Sequence, residues 1–296
     1  MDVHMSKHHF NPTCGITMKI QFLITLVILF GINTAVVAKE YTFGIVPQQS
    51  ANKLAKLWTP VLQHLSDVSG MEVKFATAKD IPTFEKRLAA GEYDFAYMNP
   101  YHFTVFNEQP GYVAMAHQSE KRIKGIVVVR KDSKAQNLAA LDGQRMAFPS
   151  PAAFAATILP KASIAKMDVN IDAKYVSSHD SVYMAVSRGL LPAGGGIVRT
   201  FNKTDPTIRD TLRILWTSTG YTPHAFAAHP AVSSAEREAF ASALVSIAET
   251  EKGRELLSAL GFADIQRADD ASWDDVRDLK IQKLSTKTNT VAEQTQ

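Results

Sequence analysis

Apolar and polar positions follow two alternating rhythms along most of this chain. Tyr41 to Val46 reads as a short strand that stops at Pro47. Leu54, Leu57, Trp58, Val61 and Leu65 then recur at helical spacing behind Ser50, a capping residue, with Pro60 expected to kink the helix. Gly70 closes that unit. Met71, Val73 and Phe75 alternate as a second strand, and Asp80 with Pro82 opens a second helix through Phe84 and Leu88 to Gly91. Tyr93 to Met98 is a third, aromatic strand. Asn99-Pro100 starts a third helix, since Asn can cap and proline presets φ. Strand, helix, strand, helix, strand, helix is the rhythm of a parallel α/β sheet.

The pattern changes after Gly111. Tyr112–Ala116 and Ile123–Arg130 are apolar runs separated by the charged turn Glu120-Lys121-Arg122, and the second is long enough to carry the chain into another lobe. A new α/β series then begins, with a strand at Met146–Phe148 and a helix start at Ser150-Pro151. A strand at Ala173–Val176, a helix over Asp180–Arg188, a Gly-rich turn at Gly194–Gly196 and a strand at Leu212–Thr217 follow. Ala225–Ala228 could return the chain to the first lobe. Ser233 and Glu236 form a capping box ahead of Phe240, Leu244 and Ile247, and a last helix holds Leu256, Leu257 and Leu260 before Gly261. Two α/β lobes joined by two crossing segments make a hinged clamp, whose ligand site is expected in the cleft, beyond the C-terminal ends of the strands.

The start of the chain stands apart. Met18-Lys19 precedes an apolar run from Ile20 to Val37 that ends Val36-Val37-Ala38, the layout of a secretory leader cleaved after Ala38. A retained anchor would need about twenty uninterrupted apolar residues, and this run is broken by Gln21, Thr25, Gly31, Asn33 and Thr34. Residues 1–17 read as an extension ahead of the leader. The single cysteine, Cys14, leaves with it, so the mature chain would have no disulfide and no thiolate chemistry. Export to the periplasm is the expected fate.

Charge and motifs narrow the chemistry. The net charge of +3 with no clustered basic stripe predicts no nucleic-acid partner. The H-E-x-x-H, G-x-S-x-G, P-loop and G-x-G-x-x-G patterns are absent, and the six histidines beyond Ala38 have no metal-ligand spacing. No catalytic residue, metal site or cofactor is predicted. A triad assembled across the fold leaves an exported hydrolase as an alternative.

Four strand-to-helix corners look alike instead: Pro47-Gln48-Gln49-Ser50, Asn99-Pro100-Tyr101, Ser150-Pro151-Ala152-Ala153, and Ser177-Ser178-His179-Asp180-Ser181. Each leaves helix N-terminal amides and a partial positive charge pointing outward, a seat for a small anion. Tyr97, Tyr101 and His102 add rings with polar tips. Such corners also occur as plain packing features, and convergence on one cleft would separate the two readings. Tyr221 and His224, near the return crossing, could line that cleft or pack the hinge.

The order of three blocks carries a resemblance. Phe-Gly-Ile-Val-Pro at 43–47, Asp-Phe-Ala-Tyr-Met-Asn-Pro at 94–100, and Ser-Ser-His-Asp-Ser with Ala-Val-x-x-Gly at 177–189 resemble the phosphate/phosphite/phosphonate periplasmic binding proteins of ABC transporters, over about Tyr41 to Ile281. The resemblance implies a type II periplasmic binding protein fold: two lobes, each a mostly parallel sheet flanked by helices. The corresponding divisions are 1–38 leader and extension, 39–128 first lobe, 129–222 second lobe, 223–283 return to the first lobe, and 284–296 a disordered tail. It implies a monomeric clamp that captures a small phosphorus oxyanion for a membrane permease. A clamp that signals to a sensor ectodomain is the alternative. Tyr97 and Asn99 match the family's pocket segment, Ser150–Ala155 its anion loop, and His179 a ligand-facing histidine. Two departures matter. The family's Ser-Thr-Ser-type loop is here Pro151-Ala152-Ala153-Phe154-Ala155, and no acid stands between Gly189 and Val198 to hold an amino group. A ligand without an amine, with an apolar part facing Phe154, fits better. The expected ligand-binding residues are Gln48, Gln49, Ser50, Tyr97, Asn99, Tyr101, His102, Ser150, Ala152, Ala153, His179, Asp180 and Tyr221.

Overall fold

In the computed structural model, residues 1–5 and 39–281 are described. The apolar leader run falls in residues 6–38 and the polar tail in 282–296, outside the described residues. The fold is that of the unit beginning at Lys39.

The first lobe opens with β1 (Glu40–Ile45), α1 (Ala51–Ser69), β2 (Glu72–Ala76), α2 (Ile81–Ala89), β3 (Phe95–Met98) and α3 (Pro100–Glu108), followed by β4 (Val113–Gln118). Ser50, Asp80 and Asn99 cap the three helices through their side-chain oxygens. Pro60 lies on the exposed side of α1, which is helical on both sides of it. The chain then enters the second lobe as β5 (Gly125–Arg130), β6 (Arg145–Phe148), a π-helical turn at Phe154–Ile158 continuing into α4 (Leu159–Ala165), β7 (Asp172–Tyr175), α5 (His179–Ser187) and β8 (Ala193–Ile197). The short helices α6 (Val198–Asn202) and α7 (Pro206–Arg209) precede β9 (Leu212–Thr217). The return brings β10 (Ala225–Ala228), α8 (Ser234–Ser246), α9 (Glu251–Leu260), β11 (Ile265–Arg267) and α10 (Asp274–Arg277).

Two sheets result, in the orders β11-β4-β10-β3-β1-β2 and β7-β6-β8-β5-β9. The two-lobed α/β clamp stands, but the sheets are mixed rather than mostly parallel. β1, β2 and β3 pair in parallel, as do β6, β7 and β8, whereas β10 is antiparallel to β3 and β4, and β5 is antiparallel to β8 and β9. One strand beside each crossing, β5 and β10, runs against the strand–helix series, and its pairings on both sides are antiparallel. The crossing segments pair with each other at Ile123 and Tyr221.

Three local expectations are corrected. Gly194–Gly196 is not a turn but the middle of β8, buried at the centre of the second sheet. A Cβ on Gly195 would lie 1.9 Å from the Ala156 carbonyl oxygen, and one on Gly194 would lie 2.4 Å from Val182 Cγ1. Helical segments thus press on both faces of this strand, which only glycine permits. The helix expected at Ser150-Pro151 begins at Phe154 after an intervening turn. The helix at Leu256–Leu260 is not the last element, because β11 and α10 follow it.

The first-lobe core is aromatic: Phe43, Phe95, Phe226 and Phe240 are fully buried, with Phe95 and Phe240 stacked at 4.4 Å. This core continues across the cleft through Ala152–Ala156, Leu159 and Ile197 of the second lobe. The lobes are therefore packed against each other.

Candidate functional site

The four corners meet. Gln48, Asn99, Ala153 and His179, one from each, line a single cavity of about 10 Å³ between the lobes. Ile81, first residue of α2, joins them, so the starts of α2, α3, the Phe154 turn and α5 all face this space. Local sequence explains the arrangement. Each corner leaves a buried strand or its extension and turns at once into a helix, which places helix N-termini where the strands end.

The buried Phe154 turn offers three consecutive free donors. Its first internal bond runs from the Thr157 N–H to the Ala153 carbonyl at 2.7 Å. The N–H groups of Phe154, Ala155 and Ala156 come before it and have no acceptor within the helix. Ala153 caps without a side-chain hydrogen bond, so no hydroxyl competes for them. Phe154, Ala155 and Ala156 all line the cavity.

Direct bonds join the lobes around this space. The His179 N–H donates to the Gln48 carbonyl at 3.0 Å, and Asn99 Nδ2 donates to the Ala152 carbonyl at 3.2 Å. Arg199 Nη2 donates to Gln48 Oε1 at 2.7 Å. That bond fixes the Gln48 amide with Nε2 toward His224 Nε2, 2.9 Å away, so the ring nitrogen accepts and His224 carries its proton on Nδ1. Farther out, Lys53 Nζ donates to the Lys203 carbonyl at 3.2 Å and lies 3.7 Å from Asp180 Oδ1.

The two cleft histidines are neutral rings. Burial, reinforced by the Arg199 guanidinium, lowers His179 to about 3. Burial and then Arg199 also hold His224 well below its ordinary value, with His179 and His102 adding to the effect. His179 Nδ1 is 2.9 Å from Thr200 Oγ1, which orients the ring. Tyr97 stacks on His224 with centroids 4.9 Å apart, and burial raises its phenol. No carboxylate lines the cavity. Its polar surface is amide, imidazole and backbone, with the positive Arg199 close behind.

The remaining expected residues sit elsewhere. Ser50 is an exposed cap accepting from the Lys53 N–H, and Gln49 is buried beside the cavity with Nε2 unpartnered. Tyr101 is buried in the first-lobe core. His102 turns into that lobe, with Nε2 2.9 Å from Glu85 and its ring 6.1 Å from Phe84. Ser150 is buried with Oγ unpartnered, Ala152 contributes its carbonyl, and Asp180 pairs with Lys53. Tyr221 packs edge-on against Phe154 at 5.5 Å. Sequence reasoning left His224 open between cleft and hinge, and the structure puts it on the cavity wall. It missed Arg199 altogether. The available signal was a cation three residues beyond the glycine run.

Residues 43–273 match the family described as the periplasmic substrate-binding protein of a phosphonate ABC transporter. The chain belongs to that family. Its members are periplasmic proteins that bind a substrate for transport, so neither the sensing nor the hydrolytic alternative is favoured. Solved structures of low identity share the fold. A binding protein component of an ABC phosphonate transporter from Pseudomonas aeruginosa superposes with a TM-score of 0.76 at 18% identity, covering 82% of this chain and 86% of its own. PhnD1 from Prochlorococcus marinus, in complex with methylphosphonate, has a TM-score of 0.76 at 17% identity, covering 82% of this chain and 97% of its own. A Xanthomonas citri protein bound to chloride ion has a TM-score of 0.63 at 16% identity, covering 81% of this chain and 99% of its own.

Proposed function

We propose that this family member captures a small phosphorus oxyanion without an amino group, a phosphonate or phosphite, between its lobes and hands it to the permease of an ABC transporter. The observation that carries the reading is the convergence of four strand-to-helix corners on one cavity without a carboxylate. Helix N-terminal amides supply directed donors and partial positive charge to an oxyanion. Asn99 and the neutral His179 and His224 complete a wall that can donate hydrogen bonds, and Arg199 adds charge from behind. An ammonium group would find no carboxylate in this wall, which disfavours aminoalkylphosphonates.

The closed cavity has room for about one water molecule. A phosphonate head is larger, so binding requires the lobes to part at the crossings and close again around it. The apolar faces of Phe154, Ile123 and Ile197 suit a short alkyl substituent. The protein acts as a monomer, exported by the leader within residues 1–38 and working in the periplasm.

A thermal-shift panel of phosphate, phosphite, sulfate, methylphosphonate and 2-aminoethylphosphonate tests this reading. Binding at a hundredfold excess over Kd stabilises by about 2.7 kcal/mol. Methylphosphonate or phosphite should give the largest shift. No shift with any oxyanion refutes the anion reading, and the largest shift with aminoethylphosphonate refutes the exclusion of an amine.

A further inference from the structure

A second, much larger cavity of about 520 Å³ lies on the hinge side of the cleft and shares Ile123, Ile197 and His224 with the inner cavity as a common wall. Five cationic side chains line it, Lys121, Arg122, Lys124, Arg199 and Lys203, against the single carboxylate of Glu120. They come from two neighbouring segments: the first crossing segment supplies three, and α6 with the residue after it supplies Arg199 and Lys203. Arg122 pairs with Asp275, Arg199 with Gln48, and Lys203 donates to the Ser258 carbonyl. Lys121 and Lys124 have no acidic partner among the described residues. An independent observation points the same way. Gln118 lines this cavity, is only 6% exposed, and its Nε2 has no hydrogen-bond partner. A buried donor without an acceptor costs free energy that a bound acceptor would recover.

We propose that this hinge-side cavity is a second binding site, for a compact polyanion carrying two or more phosphate- or carboxylate-type groups. Its volume lies in the range of ligand sites rather than of single-ion sites. Five cations drawn from two segments suit a molecule with several negative groups better than a lone oxyanion. The site is distinct from the inner cavity, so both can be filled together.

The test is calorimetric titration of inorganic pyrophosphate into the full chain, alone and with saturating methylphosphonate, with citrate as the carboxylate arm. One pyrophosphate should bind per chain whether or not methylphosphonate is present, and its affinity should fall with salt. A Lys121→Gln/Lys124→Gln double variant, altered only at exposed side chains, should bind pyrophosphate at least about tenfold more weakly. Lys203→Glu, in the other lining segment, should do the same, and the double variant should leave methylphosphonate affinity unchanged. Tighter binding of citrate than of pyrophosphate would assign the site to carboxylates, within the same proposal. Competition between pyrophosphate and methylphosphonate, or equal pyrophosphate affinity in wild type and both variants, overturns it. Failure of methylphosphonate to bind, with pyrophosphate behaving as described, overturns the inner-cavity reading alone.

Discussion

Gly195→Ala should damage the ligand site out of proportion to the methyl group it adds. The new Cβ would stand 1.9 Å from the Ala156 carbonyl oxygen and 2.8 Å from Phe148 Cδ1. Ala156 is backbone in the turn whose N–H groups face the cavity, and it must move from 1.9 Å to at least 3.0 Å to clear the contact. A shift of that size in a packed interior costs about 1–3 kcal/mol. It also turns the Phe154–Ala156 donors away from their common target. Hydrogen bonds to a charged group contribute about 1.5–3 kcal/mol each, so misalignment of one weakens anion binding by about ten- to a hundredfold. Gly194→Ala is the control. Its Cβ meets the side-chain atom Val182 Cγ1 at 2.4 Å on the other face of β8, away from the Phe154–Ala156 turn. Guanidinium unfolding should show both variants destabilised, whereas calorimetry with methylphosphonate should show the affinity loss for Gly195→Ala alone. Equal affinities for the two variants would refute the placement of donors at this turn.

Three further outcomes follow from the same geometry. His179 and His224 stay neutral in the folded protein but take up protons below about pH 6.5 when unfolded, so stability should fall as pH drops below 6.5, for His179 down to about pH 3, with a limiting slope of about 1.4 kcal/mol per pH unit for each neutral ring. Unfolding titrations of wild type and His179→Gln at pH 6.5 and 4.5 check this, and the variant should lose about 2 kcal/mol less over that interval; identical pH slopes would contradict it. Lys53→Gln removes both the bond to the Lys203 carbonyl and the pairing with Asp180. These half-exposed links contribute up to about 1 kcal/mol, so the variant should show a larger radius of gyration by small-angle scattering and up to about fivefold weaker ligand binding. Asn99→Ser keeps a capping oxygen for the His102 N–H but loses the donor to Ala152 across the cleft. Its melting temperature should fall by about 2–4 °C and its ligand affinity severalfold, while Asn99→Ala should fall about twice as far in temperature by losing the cap as well.

The strand and helix rhythm of both lobes was legible because its signals are local. Ser50, Asp80, Asn99 and Ser233 announce helix starts by chemistry that acts within four residues, and each caps a helix in the structure. What was not legible depends on distant packing. Gly194–Gly196 has the composition of a turn and becomes a central strand because Ala156 and Val182 crowd it from both faces. β11 holds three residues and exists through its pairing with β4, which no short-range pattern reveals. The mixed character of the first sheet turns on β10, whose Ala225-Phe226-Ala227-Ala228 fits a strand of either direction. At the site, the corners could be named one by one, but their convergence on one cavity, and the reach of Arg199 to Gln48, are properties of closure across the lobes. His102 looked like its neighbours in sequence, yet one helical position turned it toward Glu85.

The most direct measurement is a crystal structure of the full chain with methylphosphonate. The account predicts phosphorus within the ring formed by Asn99, the Phe154–Ala156 amides and His179, with the methyl group toward Phe154 and the lobes closed around it. Phosphorus in the hinge-side cavity, or no bound methylphosphonate at saturating concentration, would contradict it.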